Sequence, residues 1–203
     1  MGPEIIFFVA ILLVSVVIHE VSHGYMAYIL GDSTAKHAGR LTLNPLAHID
    51  PIGSVVVPVI TSLLGMPFGW AKPVPFNPYN LSAGKWGPAL VAVAGPVSNL
   101  LIVAFFAILL RFSPFLGLTG AFLEFSTLII LVNLWLAFFN LIPVPPLDGS
   151  KILFALIPYK LRKIEQIMEQ YQLLLIILAI FFISGLVSPV VEAVFRLLTG
   201  SAI

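Results

Sequence analysis

Four long apolar stretches constrain this chain more than any other feature of its sequence. They cover residues 5–30, 88–111, 120–140 and 173–198. An α-helix needs about 20 mostly apolar residues to cross the hydrocarbon core of a bilayer, and each stretch reaches that length. Only 9% of the residues are charged, whereas a soluble domain carries about 25% and needs them to cover its surface. The sequence therefore predicts an all-α membrane protein, a polytopic bundle of transmembrane helices.

The region between the first two stretches differs from the rest of the chain. Residues 52–66 are apolar but number only 15 and include Pro58, which suits a re-entrant or short segment better than a full span. Residues 67–87 are rich in proline and glycine, a composition that favours an extended strand or a loop over a helix. We expect a short membrane-associated strand or re-entrant region, which either lines a cavity or caps the bundle.

The distribution of positive charge predicts the orientation in the membrane. If residues 52–66 do not cross, eight basic residues lie on one side and two on the other, whereas a crossing gives six against four. Because basic residues concentrate on the cytoplasmic side, the first arrangement is favoured. We therefore expect a single integral membrane domain over residues 1–203 in the cell membrane, with both termini outside. The cytoplasmic basic residues are then Lys36, Arg40, Lys72, Lys85, Lys151, Lys160, Arg162 and Lys163.

A His-Glu-x-x-His motif lies inside the first apolar stretch, at His19, Glu20 and His23. Residues four apart lie on one face of a helix, so both imidazoles can bind one metal ion, with the glutamate beside them as a general base. Ionisable residues inside an apolar span are costly and indicate function. The alternative is a buried hydrogen-bonded cluster that only stabilises helix packing.

A catalytic zinc ion needs a third protein ligand, and the chain has no cysteine to supply it. Asp148 is the best candidate, because it follows a proline-rich break after the third stretch and precedes the flexible Gly149. In the favoured topology it lies at the cytoplasmic end, as do the two histidines. The alternative ligands are Asp32, His37, His48 and Asp50.

Two asparagines are candidate substrate contacts. Asn140 ends the third stretch, where its amide can bind a substrate backbone or an oxyanion, or simply bond between helices. Asn99 follows Gly95 and Pro96 in the second stretch. Small residues there indicate close helix packing, and a substrate contact by Asn99 is the lesser alternative.

These motifs, in this order, resemble the site-2 proteases, a family of intramembrane zinc metalloproteases. The resemblance rests on His19-Glu20-x-x-His23, Gly95-Pro96-x-x-Asn99, and Asn140-x-x-Pro143 followed by Asp148-Gly149. Residues 38–51 and 69–78 resemble the short prokaryotic branch of that family.

The resemblance implies a zinc endopeptidase that cleaves transmembrane segments of other membrane proteins in regulated intramembrane proteolysis. One Zn²⁺ per chain would be held by His19, His23 and Asp148, with Glu20 activating water and Asn140 holding substrate. The active site would face the cytoplasm. The chain departs from many relatives because no PDZ-like insertion separates its second and third stretches.

Two other functions fit parts of the sequence. A metal-ion transporter would use the same three ligands as a transit site, although the outer half of the first stretch, residues 5–14, is wholly apolar. A catalytically silent protein that binds membrane helices would usually have lost the glutamate or a ligand, and neither is lost. The formal net charge of +1 gives no reason to expect a nucleic-acid partner.

Overall fold

The structure, a computed structural model, describes residues 3–57, 59 and 71–200. This part of the chain is mainly helical and contains no β-strand, in agreement with the predicted all-α class. Short 3₁₀ turns cover Pro45–His48, Pro78–Asn80, Gly84–Trp86 and Tyr159–Leu161, and π-helical segments cover Pro51–Val56 and Ala179–Ile183. The α-helices are α1 (Pro3–Ile29), α2 (Thr34–His37), α3 (Gly87–Arg111), α4 (Ser113–Leu116), α5 (Ala121–Asn140), α6 (Asp148–Leu156), α7 (Arg162–Gln170), α8 (Gln172–Leu178) and α9 (Ser184–Thr199).

Within the described residues, three helices are long and apolar enough to cross a membrane, and they match the first three predicted stretches: Ile5–Ile29, Gly84–Arg111 and Ala121–Asn140. The fourth stretch is helical but not one regular α-helix, because the π-helical segment separates α8 from α9. This interruption precedes Gly185, and α9 then continues through Gly185 and Pro189. A further bend of 74° separates Tyr159–Gln170 from Gln172–Phe181.

Helix α3 lies at the centre of the bundle and contacts α1, α5, α6 and α9. Its inner face joins α5 and α9 in one hydrophobic core, which includes Val103, Leu134 and Phe195. The outer faces carry large exposed apolar side chains such as Ile6 and Leu101. Burying such groups away from water is favourable, so these faces suit contact with lipid.

The chain leaves α1 and enters α3 at the same end of the bundle. The Ser82 amide donates a hydrogen bond to the Leu30 carbonyl at 2.8 Å, and the Asn77 amide donates to Asp32 at 2.7 Å. A single crossing by the intervening segment would bring the chain to the opposite end, so this geometry favours the arrangement with eight basic residues on one side. Residues 58 and 60–66 of the short apolar stretch lie outside the described residues.

Residues 71–77 form an irregular segment. For residues 67–87 the composition predicts a strand or a loop, and the described part of this region contains a loop and no strand. Residues 67–70 lie outside that part. The segment is held by single hydrogen bonds: the Lys72 amide donates to the His48 carbonyl at 2.9 Å, and Arg40 Nη2 donates to the Lys72 carbonyl at 2.7 Å. These contacts fix the segment against the turns that follow α2.

Candidate metal centre

Helix α1 presents His19 and His23 on one face, one turn apart. Their rings meet edge to face, with centroids 4.6 Å apart, and both residues are buried. With a rise of 1.5 Å per residue, they lie about 15 and 9 Å from the end of the helix at Ile29. The pair is therefore placed well inside the span.

Asp148 reaches this pair from the first turn of α6. Its Oδ2 lies 3.0 Å from His19 Nε2 and 3.4 Å from His23 Nε2. The aspartate can come so close because Gly149 has no side chain: a Cβ there would lie 2.2 Å from the Leu141 carbonyl oxygen. The prediction that Asp148 meets the histidines is thus consistent with the structure.

The hydrogen bond between His23 and the backbone of α3 determines which of its two ring nitrogens carries the proton. His23 Nδ1 faces the Val91 carbonyl oxygen at 2.7 Å. A carbonyl oxygen only accepts, so Nδ1 must carry the proton and donate it. The lone pair of the neutral ring is then on Nε2, the nitrogen that faces Asp148.

The three facing atoms fit a tetrahedral zinc ion. Zinc–nitrogen and zinc–oxygen bonds of about 2.0–2.1 Å in tetrahedral geometry place the ligand atoms about 3.4 Å apart, close to the observed 3.0 and 3.4 Å. Lone pairs facing one another at such distances repel unless a cation lies between them.

Helix α3 approaches the two histidines closely because Gly95 faces them. A Cβ on this glycine would lie 2.5 Å from His19 Nε2 and 2.5 Å from His23 Cε1. Such distances are well inside van der Waals contact. The small residue noted in the sequence is therefore required by the site itself, beyond its role in helix packing.

Glu20 lies beside the pair on α1. Ligand atoms of His19, Glu20 and His23 all lie within 4.8 Å of one another. One carboxylate oxygen of Glu20 accepts a hydrogen bond from the Val74 amide at 2.9 Å. The irregular segment at residues 71–77 thus holds the predicted general base in place.

A cavity of about 210 Å³ opens onto this cluster. Its walls combine the polar groups of the cluster with the irregular segment, the first turns of α3, the end of α5, the turn before α6 and the start of α6. The additional lining residues are Pro73, Val74, Phe76, Pro88, Val91, Ala92, Asn140, Pro146 and Lys151. The volume and mixed lining can admit a short stretch of peptide together with water.

The two asparagines occupy different places. Asn140 lines the cavity, and its Nδ2 donates to the Leu136 carbonyl at 2.8 Å. Asn99 is fully buried, accepts from His19 Nδ1 at 2.5 Å and donates to Asn133 at 2.7 Å. This geometry gives no support to a substrate contact by Asn99 and connects it to His19 instead.

Of the alternative ligands, the two aspartates serve a turn and a cap in the described structure. Asp32 accepts from Thr34 and Asn80 as well as Asn77, and Asp50 caps the following π-helical segment. His48 is buried and contacts the Thr42 carbonyl at 2.9 Å, and His37 is exposed. The described residues gather no metal-binding cluster of three or more such side chains other than the one on α1.

Asn133, Ser15 and Val74 contact the site or its neighbours but are not among the residues predicted from the sequence. Asn133 is a polar residue in the middle of an apolar span, which is a signal that could have identified it. Ser15 lies one helical turn before His19 on the same helix. Val74 acts through its backbone amide, which no side-chain motif can reveal.

Known proteins resemble the chain over most of its length. The sequence profile of peptidase family M50 matches residues 118–184. YwhC of Bacillus subtilis, named as a zinc metalloprotease, is 38% identical over 190 residues, which cover 91% of this chain and 83% of YwhC. Rip2 of Mycolicibacterium smegmatis, also named as a zinc metalloprotease, is 32% identical over 68% of this chain and 52% of its own length. No solved structure matches significantly.

Proposed function

Because this chain belongs to peptidase family M50, the site-2 protease family of zinc metalloproteases, we propose that it cleaves transmembrane segments of other membrane proteins. It is a multi-pass membrane protein and a zinc-dependent hydrolase. The observation that carries the proposal is the depth of the cluster, about 9–15 Å inside the end of a spanning helix. A peptide bond cleaved there lies below the lipid surface.

In this proposal His19, His23 and Asp148 hold the zinc ion, and Glu20 is the general base. The distances of 3.0 and 3.4 Å from Asp148 to the two imidazoles support this ligand set. When bound, zinc supplies a Lewis acid that polarises a peptide carbonyl and lowers the pKa of a coordinated water to about 7.

The residues of the chain carry the remaining steps. Glu20 accepts a proton as water attacks the scissile carbonyl and returns it to the leaving amine. Asn140 lines the cavity, and its amide donates to the substrate backbone or to the oxygen that gains charge. The substrate helix must unwind locally, because its carbonyls are otherwise bound within the helix.

We place the active site toward the cytoplasm. The shared end of α1 and α3 carries the cavity and the basic loops, and basic residues concentrate on the cytoplasmic side. At the opposite end, Arg111 donates to the Leu197 carbonyl at 3.2 Å, so α3 and α9 end on the same side. Attaching a membrane-impermeant label to single cysteines at Lys85 and Arg111 in intact cells tests the orientation: only the second should be labelled.

The decisive variant is Glu20→Gln, with Glu192→Gln as its matched control. Glu192 is an exposed residue of α9 that pairs with Arg196, away from the cavity. Membrane proteomes of cells carrying each form identify proteins that only the active enzyme cleaves, and a tagged candidate is then reconstituted with enzyme in liposomes. We expect Glu20→Gln to retain zinc and lose activity by about 10²–10⁴-fold, while the control stays near wild type.

The cleavage position separates the proposal from its alternatives. Mass spectrometry of the products should place the scissile bond within the transmembrane segment of the substrate. Cleavage confined to extramembrane loops would contradict intramembrane proteolysis. Zinc flux into liposomes that is unchanged by Glu20→Gln, without any cleavage, would instead indicate a transporter.

A further inference from the structure

A line of buried polar side chains extends from His19 away from the cavity. His19 Nδ1 contacts Asn99 Oδ1 at 2.5 Å, and Asn99 Nδ2 donates to Asn133 Oδ1 at 2.7 Å. Asn133 Nδ2 in turn donates to Ser15 Oγ at 3.0 Å and to the Ile129 carbonyl at 2.8 Å. Both asparagines have no solvent exposure, and Ser15 is buried.

The direction of every bond in this line follows from its last member. The Ile129 carbonyl can only accept, so the Asn133 atom that faces it must be the amide nitrogen. The Asn133 oxygen then faces Asn99, which must present its own nitrogen there and its oxygen to His19. His19 Nδ1 must therefore carry a proton, and the lone pair of the neutral ring lies on Nε2, toward Asp148.

The two histidines thus adopt the same tautomer, but different hydrogen-bond partners hold them in it. His23 is oriented directly by a backbone carbonyl at 2.7 Å. His19 depends on two side-chain amides, either of which would present the wrong atom if it turned over. Burying these polar side chains in an apolar bundle costs desolvation free energy. Their hydrogen bonds offset that cost only when every polar group in the line has a partner.

We propose that Asn133 is a positioning residue of the metal centre, which acts through Asn99 to hold His19 in its zinc-binding tautomer. Asn133 touches neither zinc nor the cavity. Its removal leaves Asn99 free to turn its nitrogen toward His19 Nδ1, which favours the tautomer with the proton on Nε2 and opposes zinc binding. This inference rests on the proposed zinc ligands.

The test measures zinc affinity by chelator competition on the purified full-length protein in nanodiscs, together with the melting temperature of the zinc-free form. Partners that orient a metal-binding histidine typically contribute 10–100-fold in affinity. We expect Asn99→Ala to lose affinity within that range and Asn133→Ala to lose about tenfold, at the lower end of the range because it acts at one remove.

Ser126→Ala is the matched control. Ser126 is buried on the same helix, two turns before Asn133, and its hydroxyl has no hydrogen-bond partner. We expect its zinc affinity to stay within twofold of wild type. If Asn133→Ala fails to fold, Asn133→Ser replaces it, since a serine hydroxyl can bond to the carbonyl four residues earlier while losing the contact with Asn99.

The double variant Asn99→Ala, Asn133→Ala tests whether this pair acts as a relay, in which Asn133 affects His19 only through Asn99, or whether Asn133 acts through general packing. If Asn133 acts through Asn99, Asn133→Ala should cause no further loss of zinc affinity in an Asn99→Ala background. Unchanged affinity in the folded Asn133 variants would overturn the proposal, as would losses that add in full. A His19→Ala variant that keeps wild-type zinc affinity would overturn the proposed ligand set itself, and this relay with it.

Discussion

The close approach of Gly95 to the two imidazoles makes Gly95→Ala the sharpest test of the metal centre. The added methyl would lie 2.5 Å from His19 Nε2 and 2.5 Å from His23 Cε1. Comfortable contacts between such atoms are about 3.5–4.0 Å. At least one side must therefore move by about 1 Å.

A shift of that size exceeds what a zinc site tolerates. Ligand distances in zinc sites hold to within about 0.2 Å, so an imidazole displaced by about 1 Å leaves the coordination sphere. A shift of α3 instead would displace Val91 and Asn99, the hydrogen-bond partners of the two rings. Loss of a ligand should cost more than the roughly 100-fold upper limit seen when only a supporting residue is changed. We expect zinc affinity to fall by more than about 100-fold and proteolysis to be lost with it.

Zinc content and affinity are measured on protein purified in nanodiscs, with Gly185→Ala as the matched control. Gly185 also lies in a helix of the bundle, but a Cβ there meets nothing within 4 Å. Since alanine is favoured over glycine in helices by about 1 kcal/mol, the control should be folded and bind zinc normally. If Gly95→Ala protein bound zinc with wild-type affinity, the inferred close approach of Gly95 to zinc-binding imidazoles would be refuted.

A second measurement separates the clash from a general folding defect. In a background that carries alanine at both His19 and His23, the methyl group at position 95 no longer meets an imidazole. Gly95→Ala should then leave the melting temperature of the zinc-free protein nearly unchanged. An equally large loss of stability with and without the imidazoles would show that the substitution acts elsewhere.

Three other predictions follow from the described contacts. Gly149→Ala should release zinc, because its Cβ would lie 2.2 Å from the Leu141 carbonyl oxygen and push Asp148 away; zinc content measures this. Burial raises the pKa of Asp32, but its hydrogen bonds lower it below 3.8, so its contribution to stability is present above about pH 4 and lost as the pH falls through the lowered value. Melting curves of Asp32→Asn and wild type should therefore differ at pH 7 and converge at the acid end. Zinc at 100 times its dissociation constant should stabilise the fold by about 2.7 kcal/mol, which chelation followed by thermal denaturation should reverse.

The sequence by itself determined the features that depend on local geometry. A helix of about 20 apolar residues forms and spans a bilayer because its own backbone satisfies its hydrogen bonds there. The same helix, with its fixed period, places His19 and His23 on one face wherever it packs. Composition and motif spacing were therefore enough for the class of fold and for the imidazole pair.

The tertiary structure decided which candidate third ligand lies opposite that pair. The position of Asp148 after a proline-rich break makes it the best candidate in the sequence, but the sequence leaves Asp32, His37, His48 and Asp50 as alternatives. Asp148 is 129 residues from His19 in sequence, and it reaches the pair because the chain turns sharply before α6 and Gly149 fits under a carbonyl. The hydrogen bond between Asn99 and Asn133 likewise joins α3 to α5. The hydrogen bond from the Val74 amide to Glu20 joins the irregular segment to α1. Such contacts depend on how closely helices approach and on which atoms meet between them, and neither is encoded in the period of any one helix.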